Sequence, residues 1–178
     1  LVNGKVGVPF GSTQQTTITG DVQIDFLLNE DGTLRAKVFN RENTIRNFYK
    51  RLFETSAKRI MERCEILAAV SESGDYIERT YLSDSHKRAN AIVEGWLAEA
   101  KTEHWQDAVG NVWGRLPGLN ADAKTLIVGS HLDTIVDAGK YDGILGVLMA
   151  IELLHLLRSQ GIFLPFNLDV VGFCDEEG

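Results

Sequence analysis

Five side chains in the last third of this chain have types and spacing that could do chemistry together. His131 and Asp133 stand one residue apart at the end of an apolar run, in IVGSHLDT (Ile127 to Thr134). Asp142 follows in GKYDG (Gly139 to Gly143), and Glu176 and Glu177 are neighbours in GFCDEEG (Gly172 to Gly178). Neutral imidazole plus carboxylates is the ligand set of a divalent metal such as zinc or manganese. Adjacent glutamates suit a site in which one binds metal and the other moves protons, because neighbouring side chains leave a strand end in different directions. Each residue also has a bland reading. A histidine at a strand end is more often simply hydrogen-bonded, Asp-Gly is an ordinary turn, and Asp175 is read as an ordinary strand-end aspartate. Asp133 changes the odds for His131, since a metal-bound histidine gives its other N–H to a carboxylate or carbonyl. Coincidence would have to supply four residues in order, not one.

The elements around these residues place them at strand tips. Thr125 to Val128 reads as a buried strand that delivers His131 and Asp133 beyond Gly129-Ser130. Gly143 to Arg158 reads as a helix with Leu145, Leu148, Met149, Leu153 and Leu156 on its apolar face. Asn167 to Phe173 reads as a second apolar strand, ending in the glutamates. Strand, helix, strand of this length implies a parallel crossover. Open α/β sheets bind ligands at the carboxyl ends of such strands.

Upstream, Thr44 to Val70 has helical spacing, with Ile45, Phe48, Leu52, Ile60, Cys64 and Leu67 on one stripe. Ser83 is a candidate N-cap for a second helix whose inner face is Ala89, Ile92, Val93, Trp96 and Leu97, with His86 in its first turn. Two short strands, His104 to Ala108 and Val112 to Leu116, are joined at Gly110-Asn111, a two-residue hairpin signal. His104 reads as a solvent-facing strand residue and His155 as structural. Leu1 to Asn43 is of another character, rich in Gly, Thr, Gln and Asn. Asp21 to Phe26 and Leu34 to Phe39 alternate polar and apolar residues about the turn signal Asn29-Glu30-Asp31-Gly32, the pattern of a solvated β-hairpin.

The 178 residues suffice for one domain with a real core. A net charge of -7, with no basic stripe, argues against a nucleic-acid-binding surface. The longest apolar stretch, Ile144 to Leu157, is too short for a bilayer and carries Glu152 and His155. Two cysteines, Cys64 and Cys174, give no disulfide framework and fit a reducing compartment.

The order His-x-Asp, Asp-Gly, Glu-Glu-Gly resembles the dinuclear metallohydrolases of the aminoacylase and carboxypeptidase type. Within them it is most similar to allantoate amidohydrolases and N-carbamoyl-L-amino-acid hydrolases. The resemblance covers about Lys50 to Gly178 and rests on five separated motifs: RTYLSDSH (Arg79 to His86), DAVGNVWGR (Asp107 to Arg115), GSHLDT (Gly129 to Thr134), GKYDGILGVL (Gly139 to Leu148) and FCDEEG (Phe173 to Gly178). It implies a metallopeptidase-like α/β/α catalytic domain on a central, mostly parallel sheet, with residues 44–178 as its N-terminal part and 1–43 as a β-rich extension. It implies two divalent metal ions, manganese or zinc. By the same resemblance His131 ligates one metal, Asp142 bridges both, Glu177 ligates the second, Glu176 is the general base and Asp133 is the supporting acid. His86 falls in a segment that lies near the substrate pocket in the family, and the wording Leu-Ser-x-x-His leans towards the allantoate branch.

The implied activity is hydrolysis of a linear ureido C–N bond, of allantoate first and of N-carbamoyl amino acids as the runner-up. The implied partner is a small ureido substrate, with no nucleic acid and no membrane, in a cytoplasmic enzyme whose full-length form is a homodimer. Family members carry further histidine ligands, a substrate-holding arginine and a dimerising inserted domain beyond these motifs, so the chain is expected to be a fragment, inactive by itself. A second, shorter resemblance links Gly20 to Asn43 with the C-terminal region of translocation and assembly module proteins of the bacterial outer membrane. It implies a fusion or chimeric frame with a junction near Thr44 to Arg51. As a reading of the whole chain, a non-enzymatic envelope-assembly protein leaves Arg79 to Gly178 unexplained.

Overall fold

Apolar period and turn chemistry place the elements where the sequence expects most of them. The computed structural model describes the backbone of residues 13–19, 22–28 and 34–178, and side chains from residue 50 onward. Two compact units are resolved, Leu1–Thr55 and Ser56–Gly178. In the first, β1 (Thr13–Thr19), β2 (Val22–Leu28) and β3 (Leu34–Asn40) form an antiparallel meander in which Val22 pairs with Asn40 and Leu28 with Leu34. Strand β1 has no alternating pattern and was not expected. The turn signal at Asn29 to Gly32 lies outside the described residues.

Helix α1 (Arg41–Ala68) is followed by α2 (Asp84–Glu99), β4 (Glu103–Gln106), β5 (Val112–Leu116), β6 (Thr125–His131), α3 (Ile144–Ser159) and β7 (Asn167–Phe173). The N-cap expected at Ser83 is made, its hydroxyl accepting the His86 N–H at 3.1 Å. The hairpin between β4 and β5 is longer than two residues. Asp107 Oδ1 accepts the N–H groups of Val109, Gly110 and Asn111, which closes a five-residue loop and ends β4 at Gln106.

The second unit is a mixed α/β fold on one four-stranded sheet, ordered β4-β5-β7-β6. The expectation of a mostly parallel sheet is corrected by the register. Only β6 and β7, joined through α3, run parallel, while β4-β5 and β5-β7 are antiparallel. For β4-β5 the physical reason is the short loop, which can join only antiparallel strands; β5 then meets β7 head to tail across the sheet. Gly114 lies against Leu97 of α2, and Gly146 of α3 lies against Ser130. The register puts Gly114, Ser130, Val170 and Gly172 on one face, so α2 and α3 cover the same side of the sheet. Of the expected α/β/α layers, the described residues supply the sheet and the helices of that side.

The core holds Cys64 and Leu67 of α1, Ala89, Val93, Trp96 and Leu97 of α2, Val112 and Leu116 of β5, Leu168 and Val170 of β7, and Val147, Leu148, Ile151 and Leu154 of α3. Two of the residues expected to face inward from α3 do not: Met149 is 56% and Leu153 41% exposed. The helix is apolar on every side, so period alone cannot choose the buried face. Arg59 of α1 reaches across to the buried Glu152 of α3 with two hydrogen bonds, at 2.9 and 3.0 Å. Among the described residues no helix is long and apolar enough to cross a membrane.

Candidate metal centre

The centre is assembled where β6 and β7 end side by side. Their parallel register pairs His131 with Phe173, and the ladder continues one step further as the Leu132 N–H donates to the Phe173 carbonyl at 2.7 Å. The His-x-Asp tip and the Asp-Glu-Glu segment therefore emerge together.

The His131 ring is fixed by its own neighbour. Nδ1 lies 3.0 Å from the Asp133 backbone carbonyl, and a carbonyl can only accept, so Nδ1 carries the proton. Nε2 is left with its lone pair facing outward. Around it stand three acidic oxygens, Asp142 Oδ1, Glu176 Oε2 and Glu177 Oε1, each 3.9 Å away. That is too far for a hydrogen bond. It matches donors sharing an ion, since two ligand atoms each about 2.0–2.2 Å from one metal stand roughly 3–4 Å apart. His131, Asp142 and Glu177, the three residues expected as ligands, each offer one ligand atom within 4.8 Å of the others. A lone pair ringed by carboxylates is a donor set that a divalent cation satisfies, so the residues present fit the metal the sequence pattern called for.

Asp133 touches the centre through both its main chain and its side chain. Its carboxylate does not hydrogen-bond His131, with Oδ1 3.6 Å from Nδ1. Instead Oδ2 accepts the backbone N–H of both Glu176, at 3.0 Å, and Glu177, at 2.9 Å. The buried aspartate thus orients the histidine through its main chain and the glutamates through its side chain. Asp142 is set by the turn that starts α3: the Ile144 N–H donates to the Asp142 carbonyl at 2.6 Å, with Gly143 between them at φ +65°.

A second brace comes from the β4-β5 loop. Asn111 Oδ1 accepts the Cys174 N–H at 3.0 Å, while Asn111 Nδ2 and Trp113 Nε1 both donate to Asp107 Oδ2 at 2.9 Å. Burial pushes the Cys174 thiol up, keeping it protonated, and it donates to the Val109 carbonyl. Asn111, read from the sequence as serving the turn, therefore also holds the strand end that carries the glutamates.

A cleft of about 580 Å³ opens beside the centre, with Thr80, Tyr81, Asp133, Thr134, Asp175 and Glu177 in its wall. Its size suits a small ligand. His86 does not line it. It is 1% exposed and its Nδ1 accepts the Leu82 N–H at 3.3 Å, so the position expected near substrate is a buried helix-start residue. Burial lowers the His86 pKa, the charge of Asp133 opposing that shift. Arg79 is the residue the sequence reading passed over. It opens the RTYLSDSH motif and is buried against the tip of β6. The available signal was its place at the head of one of the five motifs.

No protein-family model matches the chain. Over 114 residues it is 43% identical to allantoate deiminase 2 of Glycine max, covering 63% of this chain and 24% of that protein. It is 36% identical over 121 residues to the N-carbamoyl-L-amino acid amidohydrolase of Geobacillus stearothermophilus, covering 68% of this chain and 29% of that protein. Among solved structures, a hydantoinase/carbamoylase family amidase from Burkholderia ambifaria superposes with a TM-score of 0.64 at 31% identity, over 68% of this chain and 30% of the other. The chain spans about a quarter of the length of the allantoate deiminases it matches. By sequence and by fold, then, this chain is a homologue of the allantoate deiminases and N-carbamoyl-L-amino-acid amidohydrolases, with amidases of the hydantoinase/carbamoylase family as its structural neighbours over the part of them that it covers.

Proposed function

We propose that residues 44–178 are the N-terminal part of the catalytic domain of a metal-dependent amidohydrolase that cleaves a linear ureido C–N bond. Its favoured substrate is allantoate, and N-carbamoyl-L-amino acids are the alternative. The observation that carries the reading is the lone pair of His131 Nε2 facing three carboxylate oxygens at 3.9 Å, in a chain homologous to enzymes of this chemistry.

In this reading His131 would hold one divalent ion, Glu177 the second, and Asp142, between them, both. Divalent ions bound there, manganese or zinc, would lower the pKa of a coordinated water and polarise the ureido carbonyl. Glu176, whose side chain is exposed beside the ligands, takes the proton from the attacking water and returns it to the leaving nitrogen. Asp133 keeps both glutamates in place by holding their backbone N–H groups. The carbamate released from allantoate would decompose to carbon dioxide and ammonia, leaving ureidoglycine. The two unpaired, buried cysteines suit a reducing cytoplasm, and the full-length enzyme is taken as a homodimer.

The test is turnover by the complete gene product loaded with manganese or zinc. Ammonia release from allantoate exceeding amino-acid release from N-carbamoyl-L-amino acids supports the first substrate, and the reverse order supports the second. Metal uptake with turnover of neither would overturn the reading.

A further inference from the structure

We propose that Arg79 is a positioning residue for the metal centre: a buried guanidinium that holds the His131-Leu132-Asp133 tip against the end of α1. This inference rests on the metal-centre reading above.

Arg79 is 1% exposed. Its Nε donates to the Leu132 carbonyl at 2.8 Å, and its Nη1 donates to the carbonyls of Leu67, at 3.0 Å, and Val70, at 2.7 Å. Its backbone is paired to the other side of the tip: the Arg79 N–H donates to Thr134 Oγ1 at 2.8 Å, and the Thr134 N–H donates to the Arg79 carbonyl at 3.0 Å. One residue thus grips both Leu132 and Thr134, the two neighbours of Asp133.

The grip matters because of what Asp133 does. Its carbonyl sets the tautomer of His131, and its carboxylate sets the glutamate backbone. Rotating the Leu132 peptide would swing both. Groups behind the ligands are worth about 10–100-fold in metal affinity.

A filler side chain would not be charged here. Burying a cation is costly unless its donors are satisfied. No carboxylate hydrogen-bonds Arg79 among the described residues; three carbonyls accept from it, and the charge of Asp133 offsets the burial that pushes its pKa down to about 10. It therefore stays charged at neutral pH. Its planar fork reaches a carbonyl in the last turn of α1, one just beyond that helix and one at a strand tip at once, which an ammonium on a flexible stem does not reproduce.

The experiment is Co2+ titration of the complete gene product, read by calorimetry and by the visible ligand-field spectrum, for the wild type, Arg79→Met, Arg79→Lys and the control Arg63→Met. Arg63 is also a buried arginine, bonded to Glu99 and stacked on Trp96 away from the tip. All are measured below their thermal midpoints. The expected result is Co2+ affinity lower by about 10–100-fold for Arg79→Met, a shifted spectrum for Arg79→Lys, and unchanged affinity and spectrum for Arg63→Met despite a lower midpoint. If Arg79→Met does not fold, Arg79→Lys decides. A wild type that binds Co2+ together with a folded Arg79 variant of unchanged affinity and spectrum overturns the positioning role alone. A wild type that takes up no Co2+ overturns the metal-centre reading, and this inference with it.

Discussion

The imidazole of His131 fills the space that a side chain on Gly143 would need. A Cβ there would lie 2.5 Å from ring atoms Cε1 and Nδ1 and 2.6 Å from Nε2. The same glycine, at φ +65° and ψ -54°, closes the tight turn in which the Ile144 N–H reaches the Asp142 carbonyl. That conformation is strained for any residue with a Cβ. One glycine thus presents Asp142 and clears the ring that faces it.

Gly143→Ala is therefore expected to cost about 1–3 kcal/mol in stability from backbone strain and to displace His131 as well. Thermal unfolding and metal uptake, measured together, check this. A variant with the wild-type midpoint and wild-type metal content would show that neither the turn nor the clearance is needed.

Glu176→Gln keeps the shape of the site and removes the proton acceptor. In the complete enzyme it should retain metal and lose turnover by about 10²–10⁴-fold, the usual worth of a general base. Metal analysis and kcat on the same preparation separate the two effects, and near-normal turnover would end the assignment.

Glu177→Gln and Asp142→Asn replace anionic donors by neutral ones. Both should lose metal first, with turnover falling in proportion to occupancy. Metal content equal to the wild type after dialysis against a weak chelator would remove the residue concerned from the ligand set.

Asp133→Ala takes away the acceptor for two part-buried N–H groups, those of Glu176 and Glu177. Leaving such donors unpaired costs about 1–3 kcal/mol. Denaturant unfolding measures the loss. A midpoint within error of the wild type would mean that the glutamate segment is held by other contacts.

Asp107 supplies the pH dependence. Burial alone would raise its pKa, but hydrogen bonds from Trp113, from the Asn111 side chain and from the loop N–H groups outweigh burial and hold it below the usual carboxylate value. A carboxylate with a depressed folded pKa stabilises the fold fully above its unfolded pKa, about 3.9, and loses that contribution as pH falls through the folded value. The thermal midpoint should therefore drop below about pH 4, and Asp107→Asn should flatten that part of the profile. An unchanged acid limb in the variant would assign the drop to other groups.

Much of the local structure could be read directly. The Ser83 cap, the limits of β7 and the crossover through α3 follow from period and cap chemistry, which act over a few residues. The meeting of His-x-Asp and Glu-Glu-Gly at adjacent strand ends was legible too, because both sit at the ends of apolar runs that had to be strands. The inner face of α3 was not legible, since a helix apolar all round presents the same period whichever way it turns. Nor was the five-residue β4-β5 loop, where Asp107 binding three successive N–H groups outweighs the Gly-Asn turn signal.

The sequence by itself determined which side chains could bind a metal and that two neighbouring strand ends would carry them. Tertiary structure alone decided how they are held. Asp133 serves the backbone of residues 43 and 44 positions further on. Arg79 pairs with a carbonyl 53 residues away, and Glu152 meets an arginine 93 residues earlier. Hydrophobic period and turn propensity are local properties of the chain and can be read from it. A hydrogen bond between distant residues depends on the register in which β6 meets β7 and on how the helices pack over the sheet, and no local pattern encodes either.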